Sequence, residues 1–128
     1  MRMIFVNLPV KDLEASKRFF GELGFGFDPK YEDESAACLV IDENIFFMLL
    51  VEDRFKDFIN GDIADPGTTE TINCLSAGSR EEVDETIRRA LAAGGKEWKP
   101  TWQEGPMYAG SFQDPDGHVW ELLHMEQQ

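Results

Sequence analysis

The same order of predicted elements occurs twice along the chain, and this repetition constrains the fold more than any other feature. An apolar, β-type run at residues 3–9 precedes a helical pattern and three further strand-like runs. A second strand begins at residue 71, and helix and strands then follow in the same order to residue 125. The repetition predicts an α+β protein of two βαβββ modules, whose curved sheets enclose a cavity.

Start and stop signals place the two helices at matching points of the repeats. The Asp12 side chain can accept free N–H groups of a first turn, and Gly24 is typical of a left-handed helix end. In the second repeat, Ser79 and Glu82 have the spacing of a capping box, and Gly94 follows the apolar face of the helix. Each repeat is therefore predicted to hold one capped amphipathic helix.

The remaining runs predict short strands and a connection. The predicted strands cover residues 25–27, 36–41, 45–51, 71–76, 96–99, 108–113 and 118–125. The sequence DPDG at residues 114–117 predicts a turn, and residues 102–108 predict a loop. The chain of 128 residues is expected to form a single domain, with module 1 at about 1–52, a connection at 53–68 and module 2 at about 69–128.

Charge and cysteine content exclude several kinds of partner. Twelve Lys and Arg against 25 Asp and Glu give a net charge of -13, which repels nucleic acids and anionic membrane surfaces. No apolar run approaches the roughly 20 residues of a spanning helix, and the first residues are too strand-like for a signal peptide. Cys38 and Cys74 do not make a disulfide framework, so a cytoplasmic protein is expected.

Several sequence motifs resemble the vicinal oxygen chelate superfamily, the group of glyoxalases, bleomycin-resistance proteins and extradiol dioxygenases. They are FVNLPVKDL at 5–13, SKRFF at 16–20, SREEVD at 79–84, AAGG at 92–95 and FQDPDGHVWEL at 112–122. The resemblance covers nearly the whole chain and is greatest to a sub-group described as predicted lactoylglutathione lyases. It implies a homodimer, with modules paired either within one chain or between chains.

The resemblance also implies four positions at which family enzymes hold a divalent metal. Counting from the helix caps and turns places them at Phe5, at Ile72, at either Phe47 or Met48, and at Glu121. Only Glu121 is a metal-ligating residue, and a thioether is a poor ligand for a hard or borderline ion. Neither a metal nor another cofactor is therefore expected.

Glu121 itself has two interpretations. It alternates with Val119 and Leu123, so the three share one face of the last strand. If that face lines the cavity beside Phe5 and Ile72, burial would raise the pKa of Glu121 and suit it to act as a general base. Alternatively, Glu121 is a relic held by a hydrogen bond or an arginine.

Other residues are candidates for ligand contact. Asn7 lies two residues after Phe5, so both are expected on the same face of the strand, where Asn7 can orient a carbonyl or hydroxyl group of a ligand. Aromatic residues of the predicted loop can bind a flat ligand. The predicted ligand-binding set is Phe5, Asn7, Met48, Ile72, Trp102 and Tyr108. The alternative for the loop aromatics is packing over a dimer seam.

The two thiols are not predicted to react. Cys74 lies two residues after Ile72 and is expected on the same face of its strand, and nothing near it in sequence would lower its pKa. Cys38 is expected in the core.

The predicted function is binding of a small molecule in the cavity, with uncertain enzymatic activity. Glyoxalase I activity is not expected, because three of the four metal positions are apolar. The reaction also needs cationic residues to bind the carboxylates of glutathione, and the predicted cavity strands contain no cluster of arginines. Two alternatives are a metal-independent lyase or isomerase with Glu121 as base, and a protein that sequesters an aromatic or cationic compound. A purely structural protein is a third.

Overall fold

A computed structural model describes residues 1–126, and it divides the chain into two compact units, Met1–Asp65 and Pro66–Gln128. Each unit has one mixed sheet and one main helix, which confirms the predicted α+β class and the repeated element order. The predicted single domain, and the cavity between its modules, stay predictions.

The N-terminal unit has a four-stranded sheet in the order β1-β4-β3-β2. Strands β1 and β4 are parallel, whereas β3 is antiparallel to both of its neighbours. Its elements are β1 (Ile4–Val10), α1 (Leu13–Glu22), β2 (Gly26–Phe27), a 3₁₀ turn (Pro29–Tyr31), β3 (Ala36–Asp42), β4 (Ile45–Val51) and the short α2 (Glu52–Lys56).

The C-terminal unit repeats this topology with the order β5-β9-β8-β6, and β7 pairs with β8. Strands β5 and β9 are parallel, and β8 is antiparallel to β9. Its elements are β5 (Ile72–Ser76), α3 (Arg80–Ala92), β6 (Lys96–Glu97), β7 (Trp102–Glu104), β8 (Met107–Gln113) and β9 (Val119–Met125).

The predicted helix caps are confirmed. Asp12 Oδ1 accepts a hydrogen bond from the Ala15 amide at 3.1 Å, and Ser79 Oγ accepts one from the Glu82 amide at 3.0 Å. The Glu82 carboxylate accepts a hydrogen bond at 3.0 Å from the amide of Gly78, one residue before the cap, rather than from the amide of Ser79 as in a standard capping box. These local contacts fix where α1 and α3 begin on their sheets.

Each sheet buries one face under its main helix. In the N-terminal unit, α1 buries Phe19 and Phe20, and the alternate β1 residues Leu8 and Val10 are buried as well. In the C-terminal unit, α3 packs closely on β8 at Gly110, where any Cβ would lie only 2.9 Å from the Ile87 side chain. Glycine is therefore needed at this crossing.

One predicted element needs correction, and two apolar side chains are notably exposed. Residues 102–108 form a hairpin of β7 and β8 that turns at Gly105, where φ is 57°, rather than the predicted loop. Leu91 of α3 is 41% exposed because it lies about 100° around the helix from the buried Ala90. Phe58 is 63% exposed, and the Arg54 guanidinium lies 4.5 Å from its ring centroid.

None of the helices in the described part of the chain is long and apolar enough to cross a membrane.

Candidate functional site

Glu121 lies on the face of the C-terminal sheet that points away from α3. Successive strand residues point to opposite faces. Gly110 faces α3 and pairs with Leu122, whereas the next pair in the register, Ser111 and Glu121, points the other way. We call the face with Glu121 the far face of the C-terminal sheet.

The neighbours of Glu121 on the far face are uncharged. Cys74 on β5 and Ser111 on β8 lie directly across from it, and Val119 and Leu123 lie two residues before and after it. No ion pair among residues 1–126 includes Glu121. Glu121 is thus a half-buried carboxylate without an ionic partner, which excludes the predicted arginine partner within these residues.

The Cys74 thiol lies directly across from Glu121 in the β5–β9 register, where it can donate a hydrogen bond to the carboxylate. Cys74 is an exposed residue, but partial desolvation of its thiol, the acceptor carboxylate and the charge of Glu121 together raise the pKa of Cys74 to about 11. The thiol therefore stays protonated at neutral pH and is a weak donor to the carboxylate. The sequence alone did not predict this pair. The alternation of residues along a strand gives the sheet face on which each side chain lies, but not which residues of distant strands lie opposite each other.

The register also decides which β4 residue corresponds to Glu121. Cys74 lies five residues before the α3 cap and pairs with Glu121. Asn7 lies five residues before the α1 cap and pairs with Met48. Met48, and not Phe47, is therefore the counterpart of Glu121 in the N-terminal unit.

With this register, the four metal positions that the resemblance implies fall at Phe5, Met48, Ile72 and Glu121. Three of these side chains offer neither oxygen nor nitrogen to a metal ion. Within residues 1–126, no three His, Cys, Asp or Glu side chains are grouped so that they could hold a metal ion. The residues present do not fit the divalent ion that the family implies.

The far face of the N-terminal sheet, opposite α1, is apolar and aromatic. Phe5 stacks on Phe46 with ring centroids 4.9 Å apart and an interplanar angle of 14°. Asn7 Nδ2 donates a hydrogen bond to the Phe5 carbonyl at 3.3 Å, and Met48 pairs with Asn7 across the strands. The structure thus brings together three of the predicted ligand-binding residues in this unit.

Two more predicted residues lie on the far face of the C-terminal sheet. Ile72 pairs with Val119, and Trp102 pairs with Ala109, so both share the face of Glu121. Ile72 is exposed, and Trp102 is partly exposed. These two side chains extend the apolar surroundings of the carboxylate.

Tyr108 lies on the opposite side of the same sheet. Its hydroxyl donates a hydrogen bond of 2.6 Å to Asp84 of α3, and the Arg80 guanidinium lies 4.8 Å from its ring centroid. The acceptor carboxylate, with partial burial, raises the pKa of Tyr108. Because residues 102–108 form a hairpin, strand alternation directs Tyr108 to α3, so the structure does not bring it to Glu121.

Comparisons with known proteins agree with this architecture. Residues 2–42 match the family model "Bleomycin resistance protein-like N-terminal". The sequence gives no match among curated proteins.

Several solved structures share the fold over almost the whole chain. Hypothetical protein SA1046 from S. aureus is 24% identical with a TM-score of 0.84, and the match covers 97% of this chain and 94% of that one. A glyoxalase/bleomycin resistance protein/dioxygenase family enzyme from Burkholderia phytofirmans PsJN is 16% identical with a TM-score of 0.81, covering 98% and 99%. A bleomycin resistance determinant encoded on transposon Tn5 is 19% identical with a TM-score of 0.68, covering 99% and 100%.

The chain therefore has the fold of the glyoxalase/bleomycin resistance/dioxygenase proteins, in agreement with its resemblance to the vicinal oxygen chelate superfamily. The lactoylglutathione lyase sub-group stays a prediction, since this fold hosts many chemistries.

Proposed function

We propose that this protein binds a small molecule on the far face of its C-terminal sheet, with Glu121 as the charged anchor. The observation that carries the proposal is the isolation of Glu121: a half-buried carboxylate with four uncharged neighbours and no ion pair within residues 1–126. A partly desolvated charge without a counter-charge gains most from a ligand that supplies one.

The expected ligand is a cation that carries an aromatic or apolar group. The indole of Trp102 lies on the same face as Glu121 and is a surface for a flat ligand. The stacked rings of Phe5 and Phe46 form a separate surface of the same kind in the N-terminal unit. Aromatic faces attract cations, and a net charge of -13 concentrates cations around the protein. The fold similarity to a bleomycin resistance determinant supports a sequestering role by analogy.

Three probes with the same ring system test this proposal. Calorimetric titration with 2-naphthylmethylammonium, neutral 2-naphthalenemethanol and 2-naphthoate separates the effect of charge from that of shape. We expect affinity to fall in the order cation, neutral compound, anion. Equal affinity for the three probes, or preference for the anion, would contradict a carboxylate anchor.

A second candidate function is a metal-independent lyase or isomerase in which Glu121 removes a proton from the substrate. It is favoured by the uncharged neighbours of Glu121 and by its lack of an ion pair within residues 1–126, which leave the carboxylate free to accept a proton. Glu121→Gln would abolish turnover in an enzyme, whereas a sequestering protein would lose only affinity. The hemithioacetal of methylglyoxal and glutathione is the first probe, and we expect no thioester formation from it.

The absence of a family metal site is also a proposal. Elemental mass spectrometry on untagged protein, purified without chelator and then incubated with nickel, zinc, manganese or iron(II), measures it directly. We expect far less than equimolar metal. An equimolar content would show that Glu121 shares a metal with ligands that the family pattern does not supply.

A homodimer is proposed as well, on the resemblance and on exposed apolar residues of the edge strands, among them Ile4 and Ile72. Sedimentation velocity over a concentration series tests it, and a monomer at every concentration would contradict it.

A further inference from the structure

A cross-strand pair on the far face of the C-terminal sheet has no counterpart in the N-terminal sheet. Cys74 and Glu121 lie directly opposite each other in the parallel β5–β9 register. Neighbouring strands lie about 4.8 Å apart, which puts the thiol within reach of the carboxylate as a hydrogen-bond donor. At the matching register, Asn7 donates to the carbonyl of its own strand, and Met48 offers no charge.

We infer that Cys74 is a positioning residue, whose thiol holds Glu121 so that a carboxylate oxygen faces outward and selects ligands with a protonated amine. This inference rests on the proposed function and deepens it. A primary or secondary ammonium group both neutralises the carboxylate and donates to its free oxygen, whereas a quaternary ammonium only neutralises it.

The surroundings of the pair support a specific role for the thiol. Of the other neighbours of Glu121, Val119 and Leu123 cannot donate a hydrogen bond. The Ser111 hydroxyl is engaged with the backbone of Lys99, from whose amide it accepts at 3.1 Å. Among these four neighbours, Cys74 is thus the donor that holds the carboxylate, and its raised pKa keeps its proton in place at neutral pH.

Charge-matched probes and two Cys74 variants test the inference. The probes are 2-naphthylmethylammonium, its trimethylammonium analogue and 2-naphthalenemethanol. Removal of the donor in Cys74→Ala is expected to weaken primary ammonium binding about fivefold, the effect of one modest hydrogen bond, with little change for the alcohol. Cys74→Ser restores a donor and is expected to restore the affinity.

Ser76→Ala is the matched control, because Ser76 lies on the same strand and face but pairs with Leu123. It is expected to leave all three affinities unchanged. If Cys74→Ala weakens the binding of all three probes equally, or of none, the inference is overturned and the proposed function still stands. A wild-type protein that binds the primary ammonium no better than the alcohol would overturn both.

A ligand-free measurement keeps the inference testable if no probe binds. The ¹³C signal of the Glu121 carboxyl carbon, assigned by its loss in Glu121→Gln, reports the hydrogen bond itself. We expect it to shift in Cys74→Ala and to return towards the wild-type position in Cys74→Ser. An unchanged signal in Cys74→Ala would show that the thiol does not hold the carboxylate.

Discussion

The two units have the same strand order and the same parallel pairing, yet their far faces differ in chemistry. At matching register positions, the N-terminal unit has Asn7 beside Met48, and the C-terminal unit has Cys74 beside Glu121. Around these positions the first face carries stacked phenylalanines, and the second carries a carboxylate. One backbone pattern therefore supports two surfaces, and the functional difference is confined to a few side chains.

The turns that precede β4 and β9, the strands that carry Met48 and Glu121, differ as well. In the C-terminal unit, Asp114 is only 3% exposed and accepts hydrogen bonds from the amides of Asp116 and His118 and from Trp120 Nε1, at 2.9, 3.0 and 3.0 Å. In the N-terminal unit, Asp42 accepts from the adjacent Glu43 amide at 2.7 Å. The strand that carries Glu121 thus begins at the more strongly held turn.

The largest predicted effect is on this buried turn. Asp114→Ala should lower the free energy of unfolding by about 3 kcal/mol, because it leaves three donors without their acceptor, one of them the buried indole. Asp42→Ala should cost less than about 1 kcal/mol. Urea unfolding measures both. Equal losses would refute the contrast between the turns.

The next effect concerns the aromatic face of the N-terminal unit. Phe46→Leu removes the ring on which Phe5 stacks and should cost roughly 1–2 kcal/mol of stability, of which about 0.5–1.5 belongs to the ring pair. In a double-mutant cycle with Phe5→Leu, the two losses should be less than additive. Strict additivity would mean that the stack contributes nothing of its own.

A smaller effect compares how the two main helices are attached. Tyr108→Phe removes the hydrogen bond to Asp84 of α3 and should cost about 1 kcal/mol. Lys17→Met removes the part-buried ion pair of Lys17 of α1 with Glu32 but keeps the apolar stem of the side chain, so it should cost less than that. Thermal unfolding of both variants gives the comparison, and a larger loss for Lys17→Met would reverse it.

The smallest effect is kinetic and concerns the two thiols. Because the thiolate is the reactive form and the pKa of Cys74 is raised to about 11, its reaction with neutral 4,4′-dithiodipyridine should be slow at neutral pH. The rate should rise about tenfold per pH unit while the pH stays below the pKa. Buried Cys38, whose pKa burial also raises, should react only on unfolding.

Glu121→Gln provides the control for this titration. Loss of the negative charge should lower the pKa of Cys74 and move its reactivity curve to lower pH. A curve that does not move would mean that Glu121 does not act on the thiol.

Local sequence signals predicted most of the fold. The caps at Asp12 and Ser79 and the turn that begins at Asp114 depend on residues within a few positions of each other, and all three are confirmed. The hairpin at Gly105 was not predicted, because β7 has only three residues and Gly105 and Pro106, which follow it directly, are typical of a loop.

The candidate site could be predicted only in part. Strand alternation correctly placed Glu121 on one face with Val119 and Leu123. Its partner on the neighbouring strand, Cys74, depends on the register of strands that are distant in sequence. The strand registers also show that Met48, and not Phe47, is the counterpart of Glu121 in the N-terminal unit. Side-chain pairing of this kind is a tertiary property that strand periodicity does not contain.

The most direct test of the central claim is the ratio of affinities for 2-naphthylmethylammonium and 2-naphthalenemethanol in wild type, Glu121→Gln and Met48→Leu. A charge-assisted hydrogen bond of about 2 kcal/mol predicts a ratio above about tenfold in wild type. The ratio should fall close to unity in Glu121→Gln and stay near wild type in Met48→Leu. A ratio that survives in Glu121→Gln would contradict the assignment of Glu121 as the charged anchor.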